Sequence, residues 1–346
     1  MPFAKTYVDA LLVNWGDRLF REPLRHVSAP QLARGILPQH ASLLREKLGL
    51  TLRRAPEVMV KISNKATGAQ GMGTVRRHLQ YISRNGNVEL EDQDGHMIAG
   101  KLELNDLLEQ WHLSGWGIPQ DSKRRETLNV LLSMPPGTNR QAVRDAARAF
   151  AHEIFGDGRL YVFAEHDDEA HPHVHLSVHT RGPDGRRLNP RNQDLRDWRE
   201  TFARRLREYG VDANATPRMA RGQTQRFPKR GAVWMVRQGT PLRFPLSAPN
   251  EETQQFLWNI HLGSLIAWHE IAKALAHSDA SEDRTMAMDI ADFVLQMPIR
   301  ALSPNPIPQH GLMRLRHENA HNSHRAESKS DPQVDQISNP SVELDR

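Results

Sequence analysis

The sequence predicts an α+β protein. It reads as an antiparallel sheet of about five strands with helices packed on it, largely on one face, and with helical extensions at both ends. Three observations carry this. Short apolar runs bounded by turn signals recur at 57–62, 127–134 and 160–164. Stretches with apolar residues three and four apart lie between and after them, most clearly at 194–209, where Leu195, Trp198, Phe202, Leu206 and Tyr209 form one stripe. The connection between 160–164 and the run ending at Val178 is short, which suits a hairpin rather than a crossover.

Residues 1–55 read as a helical N-terminal extension. A helix start stands at Ser28-Ala29-Pro30-Gln31, and residues 39–48 have helical periodicity. The first strand, 57–62, is followed by a Gly-rich stretch from Gly68 to Gly73. That stretch lacks the Lys-Ser/Thr ending of a phosphate-cradling loop and reads as a flexible connector. A helix is expected over 75–83, a small hairpin around 88–90 with its turn at Asp94-Gly95, and a helix over 104–113. Residues 127–134 read as a buried strand broken by Pro135-Pro136-Gly137. Asn139 then caps a helix running to about Phe155. The strand pair around residue 170 ends at the turn Gly182-Pro183-Asp184-Gly185. Residues 56–222 would form one domain and 223–300 a helical region, with a helix pair at 251–277. Residues 301–346, poor in apolar residues, read as a disordered tail.

Composition narrows the chemistry. The 346-residue chain has no Cys, so disulfides and thiolate metal sites are excluded, and imidazole and carboxylate are the strong metal ligands left. A formal charge of +5, a pI near 9.6 and a preference for Arg permit a nucleic-acid partner without requiring one. Apolar content of 38% and a mean hydropathy of −0.63 imply that part of the chain is not packed. No apolar run is long enough to span a bilayer and no hydrophobic signal opens the chain, so a cytoplasmic protein without membrane insertion is expected.

The most informative segment is His166-Asp167-Asp168-Glu169-Ala170-His171-Pro172-His173-Val174-His175. Side chains alternate along a strand, so His173 and His175 share a face. If 160–164 pairs with 175–178, His166 joins them, and three neutral imidazoles on a rigid sheet make a divalent-metal site with positions open to substrate. His171 has the same parity as His173, so spacing leaves open which three of the four bind. Pro172 favours an extended or turn conformation at His171, which ranks it below His166.

A covalent route without Cys would use Tyr, Ser or Thr. Of four Tyr residues, Tyr209 lies on a helical apolar stripe and reads as core, Tyr161 has the opposite strand parity from His166, and Tyr7 lies in the N-terminal extension. Tyr81 falls off the stripe formed by Val75, Leu79 and Ile82 and has Arg76, Arg77, Arg84 and Asn85 for neighbours. Pattern alone leaves Tyr81 between a nucleophile and an ordinary surface residue.

The segment Arg77-His78-Leu79-Gln80-Tyr81-Ile82-Ser83-Arg84-Asn85-Gly86 resembles the motif that carries the nucleophilic Tyr in conjugative relaxases, the mobilisation nucleases of the VirD2-like type. Leu132-Ser133-Met134-Pro135-Pro136-Gly137-Thr138 resembles their second motif, and the run from His166 to His175 resembles their third, the His-hydrophobe-His signature of the wider endonuclease superfamily. The resemblance covers about residues 57–222, with Tyr before His, an order that favours transfer relaxases over replication initiators.

The resemblance implies a site- and strand-specific single-stranded DNA endonuclease and transesterase. Tyr81 would attack the scissile phosphate at an origin of transfer and leave a 5′-phosphotyrosyl adduct and a free 3′-hydroxyl. His166, His173 and His175 would hold Mg²⁺ or Mn²⁺, and imidazole chemistry suits Zn²⁺ equally. Asp168 matches an acidic motif position and would orient a ligand His, take the Tyr proton, or simply sit in water. Ser133 would contact DNA near the cut or simply end its strand. Arg84, Arg186, Arg187 and Arg191 are candidates for backbone contacts, with solvated charge the plain alternative. Implied partners are single-stranded origin DNA, transfer accessory DNA-binding proteins and a type IV secretion coupling protein. The implied location is the bacterial cytoplasm, with export of the protein covalently bound to DNA left open by a tail without an Arg cluster. Two other readings compete: a metal-dependent nuclease using activated water, and a non-catalytic DNA-binding accessory protein.

Overall fold

Strand alternation builds the sheet of the protein, here described from a computed structural model covering residues 3–20, 38–64, 71–223 and 250–303. The chain divides into two compact units, Ser42–Pro217 and Met1–Ala41 with Arg218–Arg346. Residues 42–55 thus group with the sheet and 1–41 with the C-terminal helices, a division drawn differently from the borders expected at 56 and 222.

In the first unit β1 (Met59–Ile62), β2 (Leu90–Asp92), β3 (Met97–Ile98), β4 (Thr127–Ser133), β5 (Tyr161–His166) and β6 (His173–His179) form one antiparallel sheet in the order β1-β4-β6-β5-β2-β3. The sixth strand, beyond the five or so expected, is the two-residue β3 that closes the small hairpin with β2. Leu128, Val130 and Leu132 of β4, Tyr161 and Phe163 of β5, and Val174, Leu176 and Val178 of β6 point to one face. There they meet Val143, Ala147, Phe150 and Phe155 of α5 (Arg140–Phe155) and Trp198, Phe202 and Leu206 of α6 (Asn192–Glu208). Phe150 and Phe202 are fully buried, and each such side chain contributes about 1.5–3 kcal/mol of transfer free energy. Asn139 caps α5 as expected, its side chain accepting from the Ala142 N–H at 3.0 Å.

Helices cover the other face as well, which corrects the one-sided packing expected from sequence. Val75, Leu79 and Ile82 of α3 (Met72–Ile82) and Leu104, Leu108 and Trp111 of α4 (Gly100–Leu113) pack on Val162 and Ala164, the even-numbered residues of β5. Both sets of alternate residues on β5 are apolar, so both faces of that strand require cover. A second correction concerns the Gly-rich stretch. Gly71 and Gly73 belong to the start of α3, and a Cβ on Gly71 would lie 2.0 Å from the Gln120 carbonyl oxygen, so Gly71 is a packing contact rather than slack. Residues 65–70, the helix start at Ser28-Ala29-Pro30-Gln31 and the tail beyond 303 fall outside the described residues.

A third correction is Tyr209, read as core but 46% exposed. It stands just past the end of α6, where the chain leaves the helix and the stripe no longer faces the sheet. After α3 the chain reverses through Arg84, Asn85 and Gly86, all at positive φ (51°, 57° and 88°). Only glycine fits the last of these, because a Cβ there would come within 2.6 Å of the Gly100 carbonyl carbon.

In the second unit α1 (Lys5–Phe20) packs on α7 (Glu251–Ala276) through Val8, Leu12, Trp15 and Leu19, and α7 packs on α8 (Ser281–Leu295). The helix pair expected within 251–277 is one 26-residue helix, capped by Asn250, whose side chain accepts from the Thr253 N–H. No Pro interrupts it, and the reversal comes only at Ser278–Ala280. Trp268, fully buried, donates Nε1–H to the Ala220 carbonyl at 2.7 Å. No helix among the described residues is long and apolar enough to cross a membrane.

Candidate active site

The site is built by the register of one hairpin. Pairing of β5 with β6 sets His166 opposite His173 and Ala164 opposite His175. The three imidazoles therefore converge, with ring centroids 4.5 Å apart for His166–His175 and 5.3 Å for each of the other two pairs. One ring nitrogen from each lies within 4.8 Å of the other two.

Hydrogen bonds decide which nitrogens are available. A carbonyl can only accept, so the 2.7 Å contact of His166 Nε2 with the Ile82 oxygen puts the proton on Nε2. His166 Nδ1 is left as a buried lone pair without a partner. His173 Nδ1 donates to the His171 carbonyl at 3.2 Å, freeing Nε2. Burial pushes the His175 imidazole down to about 3, and His166, His173, His78 and Arg84 push the same way. His166 is also lowered by burial, against the pull of its bond to Ile82. Neutral imidazoles with converging lone pairs are the donor set a divalent cation requires, so these residues fit a metal. His171 stands aside: its Nδ1 lies 3.3 Å from Glu169 Oε2 and its main chain serves His173.

The Tyr81 ring stands 5.7 Å from the His175 ring and 6.2 Å from the His166 ring, and Tyr81 is 53% exposed. Tyr161 is 3% exposed in the core of the opposite sheet face. Exposure alone does not select Tyr81, since Tyr209 is nearly as open, but its placement beside the imidazoles does. The Arg84 guanidinium lies 5.4 Å from the Tyr81 ring centroid and pairs with Asp168 Oδ2. Asp168 Oδ1 lies 4.0 Å from His166 Nδ1 and 3.9 Å from His173 Nε2. Desolvation is the largest single influence on the Asp168 carboxyl and raises it, but Arg84, His166 and His173 together outweigh it and hold the carboxyl below its ordinary range.

The other expected DNA contacts are dispersed. Ser133 is buried and donates its hydroxyl to the Pro172 carbonyl at 3.2 Å. Arg187 grips Glu126 Oε2 with two guanidinium nitrogens at 3.0 Å each. Arg186 is exposed beside Asp184, and Arg191 leads into α6 with its N–H on Asp194. Arg186 and Arg187 follow the far end of β6, about 20 Å from His173 at the usual strand rise.

Two residues beside the site went unread in the sequence. His78, one turn before Tyr81 on α3, has its ring 6.4 Å from the Tyr ring, and burial pushes it down to about 4. The three-residue spacing on the predicted helix was the available signal. Arg140 donates Nη1 to the His166 carbonyl at 3.1 Å and Nη2 to the Glu169 carbonyl at 2.5 Å, a contact no spacing rule announces.

With this geometry in hand, similarity to known proteins is informative. The family model "Relaxase: MobA/VirD2-like, nuclease domain" matches residues 81–211. Proteins described as T-DNA border endonuclease VirD2 from Rhizobium radiobacter and Agrobacterium fabrum (strain C58 / ATCC 33970) are each 28% identical over 177 residues, 46% of this chain and 42% and 39% of theirs. The protein of that description from Rhizobium rhizogenes is 27% identical over 177 residues, 46% of this chain and 40% of its own. The chain thus spans about two fifths of the length of these relatives. A solved structure titled "Molecular Basis of Vancomycin Resistance Transfer in Staphylococcus aureus" overlays with a TM-score of 0.29 at 11% identity, over 56% of this chain and 100% of that one. The family match begins at Tyr81 and takes in the three imidazoles, so residues 81–211 are similar to the nuclease domain of MobA/VirD2-like relaxases.

Proposed function

We propose that this chain nicks single-stranded DNA at an origin of transfer by transesterification, with Tyr81 as nucleophile. The observation that carries the reading is the Tyr81 ring 5.7 Å from the ring of His175, over three imidazoles whose free nitrogens converge. Binding DNA alone requires neither feature.

In the proposed reaction Tyr81 Oη forms a bond to the scissile phosphorus and the bond from phosphorus to the 3′ oxygen breaks. The strand is left as a 5′-phosphotyrosyl adduct and a free 3′-hydroxyl. Tyr81 gives its proton to water, which its exposure admits, and the departing oxygen takes one up. The adduct conserves the phosphodiester energy, so the 3′-hydroxyl can attack it and rejoin the strand. A cation held by His166, His173 and His175 would neutralise phosphate charge as the bond order changes. Mn²⁺ and Zn²⁺ suit three imidazoles better than Mg²⁺ does. Arg84 holds the Tyr81 ring from one side while paired to Asp168, so both act in positioning, and a direct phosphate contact by Arg84 would require that pair to open. Transfer accessory DNA-binding proteins and a type IV secretion coupling protein are the partner classes this reading implies.

The test is adduct capture. The full chain is incubated with Mn²⁺ and a labelled pool of randomised single-stranded DNA, and covalent protein–DNA product is recovered under denaturing conditions. An adduct that maps to Tyr81, with a recurring sequence at its 5′ end, is the expected result. Cleavage that leaves no protein on either product would replace this reading with a nuclease that activates water.

A further inference from the structure

We propose that Arg140 is a positioning residue that sets the affinity of the three-His site by holding the loop that carries His166 and Asp168. The proposal rests on the metal-binding reading of that site.

Arg140 is a local anomaly. It is the first residue of α5, directly after the cap Asn139, and the first turn of that helix has no acidic residue. The N-terminal end of a helix has positive character, and a cation there is unfavourable. A side chain that opposes its own helix calls for a compensating contact. Here the contact is the pair of carbonyls at His166 and Glu169, bridged by Nη1 at 3.1 Å and Nη2 at 2.5 Å. The planar guanidinium fork suits two acceptors at once, which a Lys ammonium does not. Asp168 lies between the two anchored carbonyls.

The rest of the loop is tied in the same manner. The Pro172 carbonyl accepts from the Met134 N–H at 3.1 Å and from the Ser133 hydroxyl at 3.2 Å, and the His171 carbonyl accepts from His173 Nδ1. Ser133 therefore anchors the end of the loop next to His173, and Arg140 the end next to His166. His166 is fixed twice, its ring through Nε2 on the Ile82 carbonyl and its main chain through Arg140. Releasing the main chain lets the peptide tilt and turns Nδ1 away from His173 and His175. Arg140 also lines a cavity of about 360 Å³ with Arg144, Phe163, Glu165 and Asp167, so a shorter side chain at 140 leaves room rather than a clash.

The experiment measures Mn²⁺ binding to the metal-free full chain by calorimetry, with melting temperatures recorded alongside. Variants are R140Q, R140K and, as control for the site, H175A. Loss of an outer hydrogen bond to a metal ligand costs roughly 10–100-fold in metal affinity. R140Q should bind Mn²⁺ that much more weakly than the parent, with R140K between them, and excess Mn²⁺ should restore adduct formation in both. If R140Q does not fold, R140K decides alone. A folded variant that melts earlier yet binds Mn²⁺ like the parent overturns the proposal, because its role is then structural only. If H175A also binds like the parent, the three-His reading itself fails and takes the role of Arg140 with it.

Discussion

The two ends of β6 carry much the same residue types and do different things. His173 and His175 stand at one end, and His179, Arg181 and the Arg186–Arg187 return stand at the other. All three His share a face of the strand, and each is near-buried or half-buried. At the far end several of the polar groups are taken internally. His179 Nδ1 donates to the Arg181 carbonyl at 2.8 Å and its ring meets the Trp111 edge. Arg187 closes on Glu126, and the buried Arg159 donates to the Thr180 carbonyl at 2.7 Å. At the near end the hydrogen bonds lock one nitrogen of His166 and one of His173 and leave the other free, and the free ones converge. His179 also has a buried nitrogen without a partner, but among the described residues it belongs to no cluster of three metal-ligating groups. A His on a strand is thus not a ligand by virtue of its face. Convergence of lone pairs makes the difference, and a cross-strand partner supplies it.

The sharpest way to break this comparison is to remove the one hydroxyl at the near end. Tyr81→Phe keeps the ring beside His175 and the cation–π contact with Arg84, and deletes only Oη. Adduct formation should fall below detection while DNA affinity stays within about twofold, since the loss is confined to a bond made in the reaction. An adduct that survives, mapped to Tyr7, Tyr161 or Tyr209, would move the nucleophile elsewhere.

Next come the imidazoles. His175→Ala should remove most Mn²⁺ binding and most cleavage, because it takes away one of three protein ligands. His171→Ala should be milder, since its ring pairs with Glu169 and leaves the converging set intact. His179→Leu should not change Mn²⁺ affinity at all. It strands the Arg181 carbonyl, which costs about 1–3 kcal/mol and should appear as a lower melting temperature. Equal Mn²⁺ losses in His175→Ala and His179→Leu would erase the distinction between the two ends.

A pH series tests both ends together. Burial lowers His78 to about 4 and also lowers His179. A His with a depressed folded-state value takes up its proton more readily when unfolded. The unfolded chain therefore binds more protons between the folded value and the ordinary 6.5, and stability rises with pH across that window. The metal-free protein should melt progressively earlier as pH falls from about 6.5 toward 4, with a smaller slope in His78→Leu. A melting temperature flat over that range would show that these rings titrate normally in the fold.

Much of this was legible in the sequence because it depends on local period. The strand parity of His173 and His175, the Asn139 cap and the off-stripe position of Tyr81 each follow from a spacing of two or of three to four residues. What escaped depends on long-range partners. Ser133 and Arg187 have the residue types of DNA contacts, yet their polar atoms close on Pro172 and Glu126, far away in sequence. The second helical layer, α3 and α4, escaped for the same reason, since the even residues of β5 show apolar character without showing what covers them. Arg140 is the mirror case, a surface-type residue drawn into the site by two carbonyls near residue 170.

The smallest effect concerns the Arg residues after β6, and it separates two residues adjacent in sequence. The Arg187 guanidinium is paired with the buried Glu126 carboxylate and also donates to the Arg125 carbonyl at 2.6 Å, so it offers no free donor plane to a phosphate. Arg186 lies 3.7 Å from Asp184 with its side chain almost wholly exposed, a geometry worth little as an ion pair. A phosphate could recruit Arg186 without breaking anything of value. Arg187→Ala should therefore lower the melting temperature, because it leaves Glu126 buried without its partner, and should leave the salt dependence of DNA binding alone. Arg186→Ala should leave the melting temperature alone. If DNA reaches this end of the strand, it should reduce the slope of log affinity against log salt by about one and weaken binding to all sequences alike. Melting curves and filter binding of one single-stranded oligonucleotide at several salt concentrations check both. An unchanged slope for Arg186→Ala would confine DNA contact to the near end, and a reduced slope for Arg187→Ala would mean that its pair with Glu126 opens when DNA binds.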